Sequence, residues 1–444
     1  MKKIVASVGL AALGASTLPS ASAQSLAAPD ASKPWSIAAT LRGFYDDNTA
    51  TLPNDVAPPP GQHRGSFGFE VSPSGNLVWS PQEQTTITAG VLYSMMYYDN
   101  TPPNSADHID QSLTANLGLT HAFNEELKAS ASDSFVWGQE PDLLRAGNAF
   151  ATFQRISGDN YRNYGTLALD AQVAPKVGIN LGYDNAWYHY QASGATADPF
   201  TGIIIASPAG VLNRVENRGH VEALYELLPE TKALVGYQFT DVNFTGDEYI
   251  GGYATFFGLL YPVVSNQRNY REHTAYVGLE QTFTPQLTGS VRAGASYTDY
   301  YNDPNTSSSW APYALASLRY TYSHASYVEA GFSYDREATD VVGLFGNAGF
   351  TTSAESAVVY ATVNHQLAPN LYGSLMAQFQ NNIYQGGIYN NDTDQFFLVG
   401  LDLEYRFNPN FSAHVGYDYD RLDSQIAFRA FDRNRVYIGV TASY

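Results

Sequence analysis

Along most of its length the chain alternates apolar and polar residues one by one. Between 397 and 407, Phe397, Val399, Leu401, Leu403, Tyr405 and Phe407 hold the odd positions, with Gly400, Asp402, Glu404 and Arg406 between them. The same split sets Ala275, Val277, Leu279 and Phe283 against Glu272, Thr274, Gly278, Glu280 and Thr282. A period of two sends successive side chains to opposite faces, so each stretch predicts a strand with one greasy and one hydrophilic side.

Two kinds of connection separate the strands. Short turns fall at Ser80-Pro81-Gln82, Phe123-Asn124-Glu125, Ala174-Pro175-Lys176, Leu228-Pro229-Glu230, Thr284-Pro285-Gln286, Ser323-His324-Ala325, Ala368-Pro369-Asn370 and Asn408-Pro409-Asn410. Proline suits a turn because its φ is fixed, and it would cost a strand interior an N–H. Longer polar stretches alternate with them, near 46–64, 100–108, 138–159, 191–212, 245–267, 301–308, 338–351, 385–393 and 424–432. Eight turns and nine loops predict 18 strands, with both chain ends on the short-turn side. The expected fold class is all-β: a transmembrane antiparallel up-and-down β-barrel of about 18 strands, with about 16 as the alternative count. A β-sandwich also has one apolar face per strand, but 18 long strands would leave edges that closure removes.

Composition supports sheet and excludes several chemistries. Tyr 33, Phe 23 and Gly 37 stand against Met 4, a balance that favours strands and turns over helices. Aromatics gather at strand ends: Trp79, Phe123, Phe283, Tyr405 and Phe407 beside short turns, and Tyr93, Tyr97, Trp187, Tyr297, Tyr334, Tyr417 and Tyr419 toward the long loops. Two such groups match the interfacial girdles of a membrane barrel. A mean hydropathy of −0.24 excludes a helical membrane protein but not a barrel, whose two faces average out. With no cysteine, disulfides, thiolate metal sites and cysteine nucleophiles are excluded. A net charge of −19 sets nucleic acid aside as a partner.

Residues 1–23 are expected to be a signal peptide: Lys2 and Lys3, an apolar run from Ile4 to Leu18, then Ala21-Ser22-Ala23 as a cleavage pattern. Residues 24–444 then form one outer-membrane β-barrel domain, exported to the bacterial outer membrane. No cysteine follows the leader to take a lipid.

The last strand places Val436, Ile438, Val440, Ala442 and Tyr444 on one face. Tyr437, Gly439, Ala442 and the terminal aromatic Tyr444 resemble the insertion signal read by the barrel-assembly machinery. Arg42-Gly43-Phe44-Tyr45-Asp46-Asp47-Asn48 in the first strand adds to the likeness, as do Gly416-Tyr417-Asp418-Tyr419-Asp420-Arg421-Leu422-Asp423-Ser424 and Phe431-Asp432-Arg433-Asn434-Arg435-Val436. On these segments the chain resembles the β-barrel porin type 2 family of Gram-negative outer membranes. The resemblance implies an outer-membrane barrel, in contact with lipid and lipopolysaccharide, and carries no functional residue.

Catalytic and metal chemistry find little support. The nine histidines are scattered, without metal-helix spacing, and no nucleophile elbow, phosphate loop or dinucleotide glycine cluster occurs. Ser412 and His414 share a strand face, which is ordinary for a polar wall. No enzyme activity, cofactor or metal is expected. The acidic segments Asn390-Asn391-Asp392-Thr393-Asp394 and Asp46-Asp47-Asn48 have oxygen ligands suited to Ca²⁺, with solvated turns as the commoner reading.

The wall charge is more informative. The expected acidic lining is Asp170, Asp184, Glu222, Glu226, Glu272, Glu280, Glu329, Asp335, Asp402, Glu404, Asp418 and Asp420, and the basic lining is Arg42, Lys128, Arg292, Arg319 and Arg406. An acidic surplus attracts cations, so passive diffusion of small hydrophilic solutes with a cation lean is expected. The alternative is a structural or docking barrel of envelope or exopolysaccharide assembly, its lumen filled by loops. The apolar runs Gly202-Ile203-Ile204-Ile205 and Phe256-Phe257-Gly258-Leu259-Leu260 are expected to pack inside the barrel or against a neighbour.

Overall fold

The computed structural model describes residues 33–103, 107–138, 159–198, 200–256, 258–303, 308–323, 325–343 and 349–444; the expected leader and most of the expected loop near 138–159 lie outside them. From the N-terminal side run β1 (Trp35–Asp46), β2 (Ser66–Gln82), β3 (Thr85–Tyr98), β4 (Ile109–Ala122), β5 (Leu127–Gly138), β6 (Asn160–Ala174) and β7 (Val177–Tyr190). A long loop then holds β8 (Thr196–Ala197), β9 (Ile204–Ile205) and the single-turn helix α1 (Pro208–Leu212). Next come β10 (Arg214–Leu228) and β11 (Thr231–Phe244), followed by a loop hairpin of β12 (Tyr249–Thr255) and β13 (Gly258–Val264). The wall continues through β14 (Tyr270–Thr284), β15 (Leu287–Asp299), β16 (Ser309–Ser323), β17 (Ser326–Glu337) and β18 (Ser353–Ala368). It ends with β19 (Leu371–Gln385), β20 (Thr393–Asn408), β21 (Phe411–Ser424) and β22 (Phe431–Ser443).

Eighteen of these strands form one antiparallel sheet, and β1 pairs with both β2 and β22. Arg42 faces Gly439 and Phe44 faces Tyr437 across the seam, while Ile37 and Tyr444 exchange backbone bonds of 3.0 and 2.9 Å. The barrel is closed, as the alternation and the loop count predict. Closure satisfies every wall strand on both sides, the condition hydrocarbon imposes on a sheet.

Exposure identifies the two faces. On β1, Leu41 is 52% exposed while its neighbour Arg42 is 3% exposed. The greasy positions therefore face out and the polar ones face in, the reverse of a water-soluble sheet. All twelve aromatics of the two expected girdles lie on the outward register or in the adjoining turn. Strands of 12 to 17 residues exceed the roughly 9–11 that a bilayer requires, so the wall projects beyond the hydrocarbon.

The short turns repeat one design. The register slips by a residue just before them, between Gln172 and Ala174, Glu226 and Leu228, Thr282 and Thr284, Thr321 and Ser323, Gln366 and Ala368, and Arg406 and Asn408. The residue left over at each slip is Val173, Leu227, Phe283, Tyr322, Leu367 or Phe407, and all six are exposed. These β-bulges thus set an outward apolar ring at the short-turn end. One expected turn is displaced: Ser80-Pro81-Gln82 belongs to β2, and the chain reverses at Glu83-Gln84. There Pro81 sits within a register slip between Trp79 and Gln82, where its missing N–H does no harm.

Candidate functional site

The candidate site is the inner face of the closed sheet. Two of its rows are built alike, from an acid, a glycine and a tyrosine on three successive strands. Glu222 faces Gly236, which faces Tyr276; Asp402 faces Gly416, which faces Tyr437. A Cβ on either glycine would run into the tyrosine ring, so the ring lies flat across the bare backbone and reaches the carboxylate beyond. Tyr276 donates to Glu222 at 2.9 Å and Tyr437 to Asp402 at 3.0 Å. A third pair, Gly331 and Tyr360, packs in the same way, with Tyr360 donating to Glu329.

All seventeen expected lining residues stand on this inner face, and most are engaged. Arg292 donates to Glu222 at 2.8 and 3.1 Å and to Glu280 at 3.4 Å. Arg319 meets Glu329 at 3.0 Å, Arg406 meets Glu404 at 2.9 Å, and Arg42 stands 3.5 Å from Glu70 with Tyr437 beneath its guanidinium. Asp170 accepts from Asn180, Asp184 from Thr166, Glu272 from Thr298, and Asp420 from Arg433 at 2.6 Å. Asp335 reaches Arg218 at 4.0 Å from β17 to β10, five strands apart along the wall, so this ion pair crosses the interior. Lys128, Glu226 and Asp418 stand on the same face, with Lys128 opposite Asp170, Glu226 opposite Lys232 and Asp418 opposite Arg435.

Sequence reasoning missed part of the lining. Arg162, Arg214, Arg218, Lys232, Arg433 and Arg435 also point inward, as do Asp46, Glu70, Asp110, Glu216, Glu337 and Asp394. Six bases and six acids are added, so the acidic surplus is unchanged. The missing signal is register: all of these residues but Lys232, which adjoins a short turn, lie in the long-loop halves of their strands, where alternation fades, and only counting inward from the turn recovers their face. Along β3, β4 and β5 the inner positions between Asp110 and Lys128, at the two ends of this sector, are instead uncharged, with Thr88, Ser94, Ser112, Thr114, Ser130 and Ser132 all partly or fully exposed.

The interior is not uniformly aqueous. Met376, Phe396, Leu398, Leu422 and Phe431 form a buried cluster on the inner side of β19 to β22, which departs from the polar lining expected there. Toward the long loops, Tyr190, Val211, Leu212, Ile250, Val263 and Phe350 bind three loops into a second cluster. Arg268 stacks on Phe244 and donates to the carbonyl oxygens of Val211, at 3.0 Å, and Thr339. The next residue, Asp340, accepts from Arg429 at 2.8 and 2.9 Å, and Arg429 also donates to Asp394 at 2.6 Å. The loop after β17 is therefore strung between two arginines, one before β14 and one before β22. Burial, with Arg214 nearby, pulls the Arg268 guanidinium below its ordinary range. Burial also opposes the charge of Arg429, yet Asp340 and Asp394 hold it well above that range.

The same contacts place other expected residues. Asp394 is bonded to Arg429, Tyr384 and Ser424, Asp46 to Arg435 and Asp47 to Asn434, so these carboxylates of the two acidic segments have protein partners. Of the apolar loop runs, whose Phe257 lies outside the described residues, Phe256 is 98% exposed and Ile205 54%, so these two do not pack inside the barrel, while α1 and the base of the β12–β13 hairpin fill the loop core. His414 shares a bond of 3.0 Å with Thr441, and no bond links it to Ser412. Of the expected insertion signal, Tyr437 and Gly439 face inward, Gly439 clearing space for Arg42, whereas Ala442 and Tyr444 face lipid.

Comparison with known proteins now adds to this geometry. Residues 257–444 match the family model described as "Putative beta-barrel porin 2". The match covers the C-terminal motifs that carry the family resemblance, and the first-strand motif Arg42 to Asn48 lies outside it. No curated protein sequence matches the chain. Among solved structures, OccAB4 of Acinetobacter baumannii is 14% identical, covering 94% of this chain and 100% of its own, with a TM-score of 0.42. The outer membrane protein opdK of Pseudomonas aeruginosa is 12% identical over 92% and 99%, at 0.40. The ferric enterobactin receptor of Pseudomonas aeruginosa, in a mutant form, is 11% identical over 92% and 80%, at 0.43. At such scores the architecture rests on the strand pairing itself. The chain is a closed, 18-stranded antiparallel β-barrel whose C-terminal part is similar to that family.

Proposed function

We propose that this porin-like barrel conducts small hydrophilic solutes by passive diffusion and prefers cations. The observation that carries the reading is the inward charge: acidic residues outnumber basic ones even after the lining is completed by register, and the arginines are mostly neutralised locally by carboxylates. In a narrow polar passage an unbalanced acidic wall concentrates cations. The exposed hydroxyl lining of β3 to β5 offers solutes an uncharged stretch between Asp110 and Lys128, beside the ion-paired sector. Residues 1–23 would serve as export signal, the C-terminal strand as the handle for the assembly machinery, and lipopolysaccharide as the surrounding lipid.

A structural or docking barrel is the second reading, and the loops tied by Arg268 and Arg429 favour it. Planar-bilayer recording in a KCl gradient separates the two. Discrete steps whose reversal potential lies toward the cation value support diffusion. Silence from a barrel proven folded by heat-modifiable migration supports occlusion.

A further inference from the structure

Hydroxyls on the inner wall commonly meet one another. Thr40 bonds Thr441 at 2.8 Å, Thr274 bonds Ser296 at 2.8 Å, Ser290 bonds Ser317 at 2.9 Å, and Ser72 donates to Ser94 at 3.3 Å. One sector departs from this habit. The inward hydroxyls of Thr88 on β3, Thr114 on β4, and Ser130, Ser132 and Ser134 on β5 have no hydrogen-bond partner among the described residues.

One level of this sector is the most complete. In register from β2 to β6, inward Asn76 faces Gly90, Gly90 faces Asn116, Asn116 faces Ser134, and Ser134 faces Tyr164. Gly90 has no Cβ to press on the side-chain oxygen of Asn76, and one level nearer the short turns Gly118 leaves the same room for the Thr88 hydroxyl. Ser134 is only 8% exposed, yet its hydroxyl and the buried side-chain oxygen of Asn116 both lack a hydrogen bond. Tyr164 ends the row, partly exposed and packed edge-on to Tyr188 at 5.9 Å. Charge stays at the margin: Asp110 and Arg162 toward the long loops, the latter donating to Asn160 at 2.9 Å, and Lys128 toward the short turns.

A buried oxygen without a partner destabilises the wall unless something outside the chain supplies the bond. The groups left open here are hydroxyls and amides, which donate as well as accept, with an aromatic ring at one end. An ion would shed hydration without meeting a counter-charge, and an apolar solute would leave the oxygens unbonded. A sugar answers both demands, with hydroxyls that donate and accept and a C–H face to lie on a ring. We propose that Asn76, Asn116, Ser134 and Tyr164, with Thr88 and Ser132 on the adjoining level, form a binding site for an uncharged polyhydroxyl solute of monosaccharide size. Strands about 4.8 Å apart, with inward residues about 7 Å apart along each, set the polar groups on a mesh of that scale. The inference rests on the reading that solutes enter this lumen, and it gives the neutral ones a chemical class.

Glucose is the probe, titrated calorimetrically into the folded full-length barrel in detergent. Saturable binding is expected, and Ser132→Ala/Ser134→Ala should weaken it about tenfold, the loss of one or two hydrogen bonds. Ser290→Ala removes a hydroxyl already bonded to Ser317 and should leave the affinity unchanged. Gluconate, the same polyol with a carboxylate, should bind more weakly than glucose. No saturable binding to a barrel proven folded overturns the proposal, as does binding that the double serine variant leaves unchanged; Asn116→Ala gives the same comparison if that variant does not fold. Equal binding of gluconate overturns the uncharged class. Planar-bilayer recording of the same preparation keeps the two readings apart: a silent barrel that binds glucose refutes diffusion and supports the site, whereas a conducting barrel that does not bind glucose refutes the site alone.

Discussion

At the scale of single residues, the inner wall depends on glycines that give rings a place to lie. Gly236→Ala is expected to lift Tyr276 from the backbone and break its bond to Glu222, destabilising the barrel by about 1–3 kcal/mol through overpacking. Urea unfolding of the refolded barrel in lipid vesicles measures it, and Gly219→Ala, whose added methyl meets nothing, is the control. Arg429 poses the opposite problem. Arg429→Ala leaves Asp340 and Asp394 buried without their cation, and the same unfolding experiment should show a loss of about 3–5 kcal/mol. Neither role was legible in the sequence. Gly236 and Tyr276 lie forty positions apart and meet only through strand register, and Arg429 stands in a stretch that reads as ordinary polar loop.

At the scale of elements, the strands were legible and the long loops were not. A strand declares itself because each of its residues must satisfy either lipid or interior, and that demand repeats every second position. Even the displaced turn at Glu83-Gln84 follows this logic, since Pro81, which reads as a turn residue, occupies a slip in the ladder. Loop packing has no such period. Gly202-Ile203-Ile204-Ile205 reads as a run that packs inside the barrel or against a neighbour, while the loop core is built by Val211, Leu212, Ile250 and Val263, set in place by α1 and a hairpin base. The same loops yield a functional expectation. Because Thr339 and Asp340 are held from opposite sides, removing both arginines should release the loop after β17 from the mouth. Single-channel recording of Arg268→Ala/Arg429→Ala is expected to show larger and noisier conductance than the parent. Identical steps would mean that the strung loop lies clear of the conducting path.

At the scale of the whole molecule, what matters is the sum of charges and the medium in which they act. The inner ion pairs cancel much of the local field, so selectivity should come from the surplus acids and especially from those with no arginine in direct contact. Asp402 is such a group, bonded to Tyr437, and Glu404 shares its strand face, paired with the partly exposed Arg406. Replacing both, Asp402→Lys/Glu404→Lys, changes the wall by four charges at one level of the barrel and should move the reversal potential in a KCl gradient toward anions. The shift must also depend on salt. The Debye length is about 10 Å at 0.1 M and about 3 Å at 1 M, so a wall field that spans the passage in dilute salt is confined to its lining in concentrated salt. Cation preference of the parent barrel should therefore fade between these two concentrations, and the parent and the lysine variant should converge. A preference that persists unchanged at 1 M would point to close coordination at a single narrow site, and the summed wall charge would then not be its cause.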